Sequence, residues 1–214
     1  MINLSLGHTQ KIIDVCKARG QSTEDTAYIL ATAYWETAKT MEPVKEAFYL
    51  KGKAEAYRNK LRYYPWYGRG FVQLTWKTNY VKAGKRLGLD FTKDPDLVMD
   101  PDVAARVLVI GMEEGWFTSK KLSTYIDDID ESDDEDYKEY LEARRIVNGV
   151  DKQKEIAKLA IAYEKLLRVE EASVPTTVVV EKVEEEKVVE EVVVEKKPST
   201  FSIIIKLLLR LFTR

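Results

Sequence analysis

Residues 67–80 read Tyr67-Gly-Arg-Gly-Phe-Val-Gln-Leu-Thr-Trp-Lys-Thr-Asn-Tyr80. Gly68 and Gly70 flank Arg69 and signal a turn or a close backbone approach. Phe71 to Trp76 alternates in part and predicts a short strand. A helix resumes from Trp76 to Leu87 and ends at Gly88. Gln73, Thr75 and Asn79 place two amides and a hydroxyl in a row, and polar groups inside an apolar strand require partners. They form either a lined groove or a structural network, and a groove of this kind suits sugar hydroxyls and a held water. Just upstream, Tyr63, Tyr64, Trp66 and Tyr67 surround Pro65; aromatic faces pack on sugar rings, or simply on a core.

Outward from this block the pattern is helical. Ile12, Ile13, Val15 and Cys16 share one side of a helix over 9–19. Ser22-Thr-Glu-Asp25 resembles a capping box, and Ala27, Leu30, Ala31 and Tyr34 then repeat at helical spacing up to Glu36. Pro43 interrupts the chain. Asp100-Pro101-Asp102 opens a helix that runs to Gly115. Two more helices are predicted over 134–147 and 151–168. The acidic run 127–136 lacks the bend glycine and closing glutamate of a calcium loop and reads as a solvated loop. The fold class is therefore mostly α with a small β region.

The 214 residues carry 34 Lys+Arg, 36 Asp+Glu, one Cys and one His, for a net charge of -2. Hydrophobic content of 45% excludes a wholly disordered chain. One cysteine excludes an internal disulfide and multi-thiolate zinc sites, the single His8 weakens any histidine-based metal site, and a nucleophilic triad would have to use His8. Proton chemistry, if present, falls to carboxylates. Residues 1–168 hold 27 bases and 27 acids, a balance that gives no long-range pull on nucleic acid. The start has no basic n-region or apolar leader, so a cytoplasmic product is expected.

Three parts are expected. Residues 1–168 form the main domain. Residues 169–200 form a flexible linker; within 169–198, Val supplies 11 positions, Glu 9 and Lys 4, with no aromatic residue to anchor a core. Residues 201–214 place Lys206, Arg210 and Arg214 four apart on an otherwise apolar helix. Such a helix, about 21 Å long, is too short to span a bilayer and is expected to lie in a membrane surface.

Two carboxylates stand out. Glu36 closes an apolar helix beside Tyr34 and Trp35, where desolvation favours a protonated acid. Glu46 follows past Pro43, with Glu42 as its competitor. An inverting glycosidase needs two such groups roughly 6.5–9.5 Å apart.

Ala33-Tyr-Trp-Glu-Thr-Ala38, Met41 to Glu46, the 67–80 block and Arg145-Ile-Val-Asn-Gly149, in that order, resemble glycoside hydrolase family 19, and within it phage endolysin domains. The resemblance covers roughly residues 5–168. It implies a lysozyme-like, two-lobed, mostly helical fold with a cleft and no metal or organic cofactor. It implies Glu36 as general acid, Glu46 as the carboxylate that activates water, and Thr75 as the hydroxyl that helps hold that water. Gln73, Asn79 and Asn148 match substrate contacts, and Tyr64, Arg69 and Tyr80 are further cleft candidates. It also implies peptidoglycan as substrate; a monomer is expected, resident in a host cytoplasm before release to the wall, with the basic segment 201–214 placing it peripheral at the inner membrane. Trp35 stands where the family often has His, Val150 breaks the Asn-Gly-Gly pattern, and the disulfides of plant chitinases are absent.

Overall fold

A computed structural model describes residues 2–127 and 132–173. Residues 169–173 of the expected linker continue the last helix; the rest of that linker, 174–200, and the amphipathic segment 201–214 lie outside the described residues.

Seven α-helices carry the described chain: α1 (Thr9–Arg19), α2 (Thr23–Glu36), α3 (Ala54–Arg58), α4 (Lys77–Leu87), α5 (Pro101–Glu114), α6 (Asp133–Ala143) and α7 (Gln153–Ser173). Strands β1 (Val44–Lys45) and β2 (Arg69–Gly70) pair antiparallel, Val44 opposite Gly70. The mostly helical class with a small β region is the architecture the periodicity predicts.

The helix starts follow from local chemistry. Ser22 accepts the amide of Asp25 at 3.1 Å, and Asp100 accepts those of Asp102 and Val103. Ser132 and Glu135 form the reciprocal box at the start of α6.

Helix α2 is the centre of the fold. Every residue from Thr26 to Tyr34 is buried, and the helix packs chiefly on α7, which also packs on α6. Burial on all sides explains why α2 reads as apolar rather than amphipathic. Tyr28 stacks on Tyr140 at 5.7 Å, and Tyr34 meets Tyr163 edge-on at 6.2 Å. Cys16 is buried, and burial pushes its thiol up to about 12, so it stays unreactive at neutral pH.

Charges also enter this core. Glu24 of α2, Asp136 of α6 and Glu164 of α7 are all at least 95% buried, with Arg168 bonded to both glutamates. Tyr140 donates its hydroxyl to Glu164 at 2.8 Å.

One expectation fails. Phe71 to Trp76 is not a strand: only Leu74 bridges, back to Arg69. Phe71 and Val72 are both buried in succession, and Gln73 has a φ of 54°, which no extended strand tolerates. The segment is a tight fold-back that brings Leu74 onto Arg69.

Candidate active site

Glu36 is the last residue of α2, at the negative end of the helix dipole, where an anion needs compensation. Arg144 supplies it. Its Nη1 donates to Glu36 Oε1 at 2.9 Å, and its Nε donates to the carbonyl of Asp151 at 3.0 Å. Arg144 is only 3% exposed and heads a 3₁₀ turn, Arg144–Ile146, that Thr118 fastens by donating to the carbonyls of Arg145 and Ile146. The expected apolar surround of Glu36 is therefore corrected to an ion pair. Tyr34 meets Tyr163 edge-on, and Tyr34 and Trp35 together line a groove with Leu159 and Ala162 of α7.

The path from Glu36 to Glu46 is conformationally unusual. Ala38, Lys39 and Met41 have φ of 50°, 70° and 56°, and Ala47 follows at 60°. Left-handed backbone at non-glycine residues costs of order 1 kcal/mol or more each, and persists only where surroundings impose it. Here Thr37 caps both sides of the bend, donating to the Ala33 carbonyl at 2.8 Å and accepting the Met41 amide at 3.1 Å. The His8 amide donates to the Met41 carbonyl at 3.0 Å.

Beyond the bend, the two candidate carboxylates separate. Glu42 is exposed and lies 3.0 Å from His8 Nε2. Glu46 is held from three directions at the end of β1. Its Oε1 accepts the Tyr63 hydroxyl at 2.7 Å and its Oε2 accepts the Gly68 amide at 2.9 Å, while its own amide donates to the Gly68 carbonyl at 2.8 Å. Burial and the Glu46 carboxylate together push the Tyr63 phenol up to about 12, so it remains a donor.

Gly68 is required by this approach: a Cβ there would sit 2.6 Å from Gln73 Oε1. Gly70, at φ 81°, would likewise place a Cβ 3.1 Å from Val98. Gln73 donates its amide to the carbonyls of Val44 at 2.9 Å and Gly70 at 3.3 Å, stitching the fold-back to β1. Thr75 donates its hydroxyl to the Gln73 carbonyl at 2.7 Å, and Asn79 donates to the Thr75 carbonyl at 3.0 Å. Thr75 thus spends its one proton internally and keeps oxygen lone pairs to accept with. Trp76, at φ 73°, completes the strained turn and donates its amide to the Trp66 carbonyl.

Glu46, Tyr63 and Gly68 therefore form one bonded group, and Gln73, Thr75 and Asn79 a second, which Gln73 ties to β1 through the Val44 carbonyl. Arg69 and Tyr80 lie behind them, buried. Arg69 bonds Tyr80 at 3.0 Å and pairs with Asp96 at 2.6 Å, which anchors β2 to the loop before α5. Tyr64 is half-exposed and stacks on Tyr67 at 6.2 Å. Asn148 accepts the amide of Gly149 at 2.8 Å, within its own turn. Arg144 escaped the sequence reading because it is a basic residue at a core position 108 residues from its partner.

A family model described as class I chitinase matches residues 16–122. Chitinase 11 of rice is 56% identical over 54 residues, covering 25% of this chain and 19% of the rice protein. An acidic endochitinase of Dioscorea japonica is 34% identical over 82 residues, covering 35% of this chain and 30% of its own length. An inactive chitinase-like protein of Hevea brasiliensis is 54% identical over 33 residues, 15% of this chain and 10% of that protein. The chain thus spans less than a third of the length of each. No solved structure matches at a significant level.

Proposed function

The chain belongs to glycoside hydrolase family 19, and on that premise we propose that it is a glycan hydrolase of the endolysin kind. Its substrate is the β-1,4 bond between N-acetylmuramic acid and N-acetylglucosamine in peptidoglycan. The observation that carries this reading is the contrast between the two held carboxylates. Glu36 gives one oxygen to Arg144 and keeps Oε2 clear of any partner among the described residues; Oε2 is the atom that carries and delivers the proton to the leaving oxygen. Glu46 has one neutral donor on each carboxylate oxygen and no salt bridge among the described residues, the Arg58 guanidinium bonding its backbone carbonyl instead, and it serves as base.

A water between Glu46 and Thr75 donates one hydrogen to each. One of its lone pairs is then aimed at the anomeric carbon; as the new C–O bond forms, Glu46 takes a water proton while Glu36 gives its own to the departing glycosidic oxygen, and the configuration inverts. Preorganisation of this kind is what the strained turn around Thr75 maintains. Release from the host cytoplasm and a peripheral membrane contact through residues 201–214 complete the endolysin reading.

Chitin is the second reading, favoured by the plant relatives, which are named chitinases. A third, a wall-binding module without catalysis, takes its support from the relative named inactive.

Purified peptidoglycan and chitin, digested in parallel and analysed by mass spectrometry for new reducing ends, separate the three. Muramic acid ends support the proposal, N-acetylglucosamine ends from chitin alone select the second reading, and no ends from either select the third. Glu36→Gln keeps an acceptor for Arg144, so the folded variant should lose at least about 10³-fold in rate. A folded Glu36→Gln or Glu46→Gln variant with wild-type turnover would remove the assigned acid or base.

A further inference from the structure

The balance of 27 bases and 27 acids over residues 1–168 conceals a strong polarity. Residues 47–77 contain seven bases (Lys51, Lys53, Arg58, Lys60, Arg62, Arg69, Lys77) against one acid, Glu55. Of these seven, Arg69 has a carboxylate partner; the other six form no ion pair among the described residues. Elsewhere many cations are neutralised, as in Lys11 with Asp102, Arg19 with Glu113, Arg86 with Glu114 and Lys165 with Asp133.

The same segment exposes aromatic rings. Tyr57, Tyr64 and Trp76 are 43%, 51% and 42% exposed. The cations and rings are joined to one another. The Arg62 guanidinium lies 5.0 Å over the ring of Trp76, and Trp76 sits 4.8 Å from Tyr63, whose hydroxyl bonds Glu46. Arg58 lies 5.2 Å over Tyr67 and donates to the Glu46 carbonyl at 3.1 Å. Lys77 stands 5.9 Å over Trp66. Unpaired cations standing over aromatic faces, continuous with a candidate catalytic carboxylate, match a ligand that offers flat apolar rings and negative charge together.

We propose that the face formed by Arg58, Arg62, Trp66, Trp76 and Lys77 docks a glycan strand bearing carboxylates, with sugar rings on the tryptophans and their acidic substituents against the cations. This rests on the glycan-hydrolase reading and deepens it: it selects an acidic wall polymer, whose stem peptides end in carboxylates, over neutral chitin.

The test is sedimentation of the full chain, carrying Glu36→Gln, with four ligands. These are native peptidoglycan sacculi, sacculi whose carboxyl groups have been amidated, chitin, and vesicles of anionic phospholipid. Native sacculi are expected to bind most tightly, with affinity falling as salt rises. Amidation and the double substitution Arg62→Gln/Lys77→Gln are each expected to weaken binding to native sacculi about tenfold, from two or three charge contacts. A matched control on α4, Lys82→Gln/Lys85→Gln, reports a change of bulk charge alone. Equal binding to native and amidated sacculi overturns the proposal. So does an equal loss in the control pair, and so does tighter binding to vesicles than to sacculi with the same dependence on Arg62 and Lys77. Reducing-end release by the wild-type chain is scored separately, so a failure of hydrolysis and a failure of charge recognition appear in different measurements.

Discussion

Replacing Asp136 by Asn should stabilise the protein above neutral pH and remove most of its pH dependence between about 4 and 7. Asp136 is 97% buried on α6. Three other acids face it: Glu139 on its own helix, Glu164 of α7 and Glu24 of α2, with Arg168 as the opposing cation. Burial first, and then these carboxylates, push its carboxyl up from 3.8 to about 7. The folded state therefore holds a proton that the unfolded chain has already lost across this window. Stability falls as pH rises through it, by about 1.4 kcal/mol per pH unit at the steepest. The whole window amounts to roughly 4 kcal/mol at most, a large share of a typical 5–15 kcal/mol. Asp96 and Glu114 act in the opposite sense: against burial, which raises them, hydrogen bonds from Lys45 and Arg69 to the one and from Trp116 and Arg86 to the other hold them below their ordinary values, so they matter only as pH falls below about 4.5. The two effects occupy separate windows.

Thermal unfolding by circular dichroism, run on wild type and Asp136→Asn in the same buffers from pH 5 to 8, reads the difference directly. About 2–4 °C in Tm corresponds to each kcal/mol for a domain of this size. The variant should melt a few degrees higher at pH 5, where about one unit of the window has passed, and roughly 8–16 °C higher at pH 8. A wild-type Tm that is flat or rising from pH 5 to 7.5, or a variant that melts below wild type at pH 8, refutes the reasoning.

Two further substitutions probe the site. Arg144→Met leaves Glu36 at a helix C-terminus without its cation, and should cost about 2–4 kcal/mol in chemical denaturation together with most of the hydrolytic rate. Gly68→Ala drives a Cβ into Gln73 and should destabilise by about 1–3 kcal/mol and loosen Glu46, whereas Gly149→Ala, with nothing within 4 Å of its Cβ, should melt like wild type.

What was legible in the chain was what its local chemistry decides. Ser22 and Asp100 announce helix starts, and Gly88 and Gly115 announce ends, because a cap needs only the next few residues. Spacing does not separate Glu46 from Glu42: what differs in the structure is that Tyr63 and Gly68, 17 and 22 residues away, donate to the Glu46 carboxylate while His8 lies against that of Glu42. The 71–76 segment misled for a related reason. Its alternation is that of a strand, but a residue forced to a φ of 54° at Gln73 cancels the pattern, and it does so to bring Leu74 back to Arg69 and set Thr75 in its bonded group with Gln73 and Asn79.

Arg144 lay one residue before the Arg145-Ile-Val-Asn-Gly149 stretch that drew notice, and only its burial marks it. Glu24, Asp136 and Glu164 share that trait: each is an acid buried on a helical face otherwise apolar, which periodicity scores as noise. A charge at a core position has to be desolvated, so it stays only where a partner repays the cost. For Arg144 that partner is Glu36, the proposed acid. The most informative signal for the site was therefore not the conspicuous acid beside two aromatics, but a base 108 residues on, at a position where a leucine would have packed.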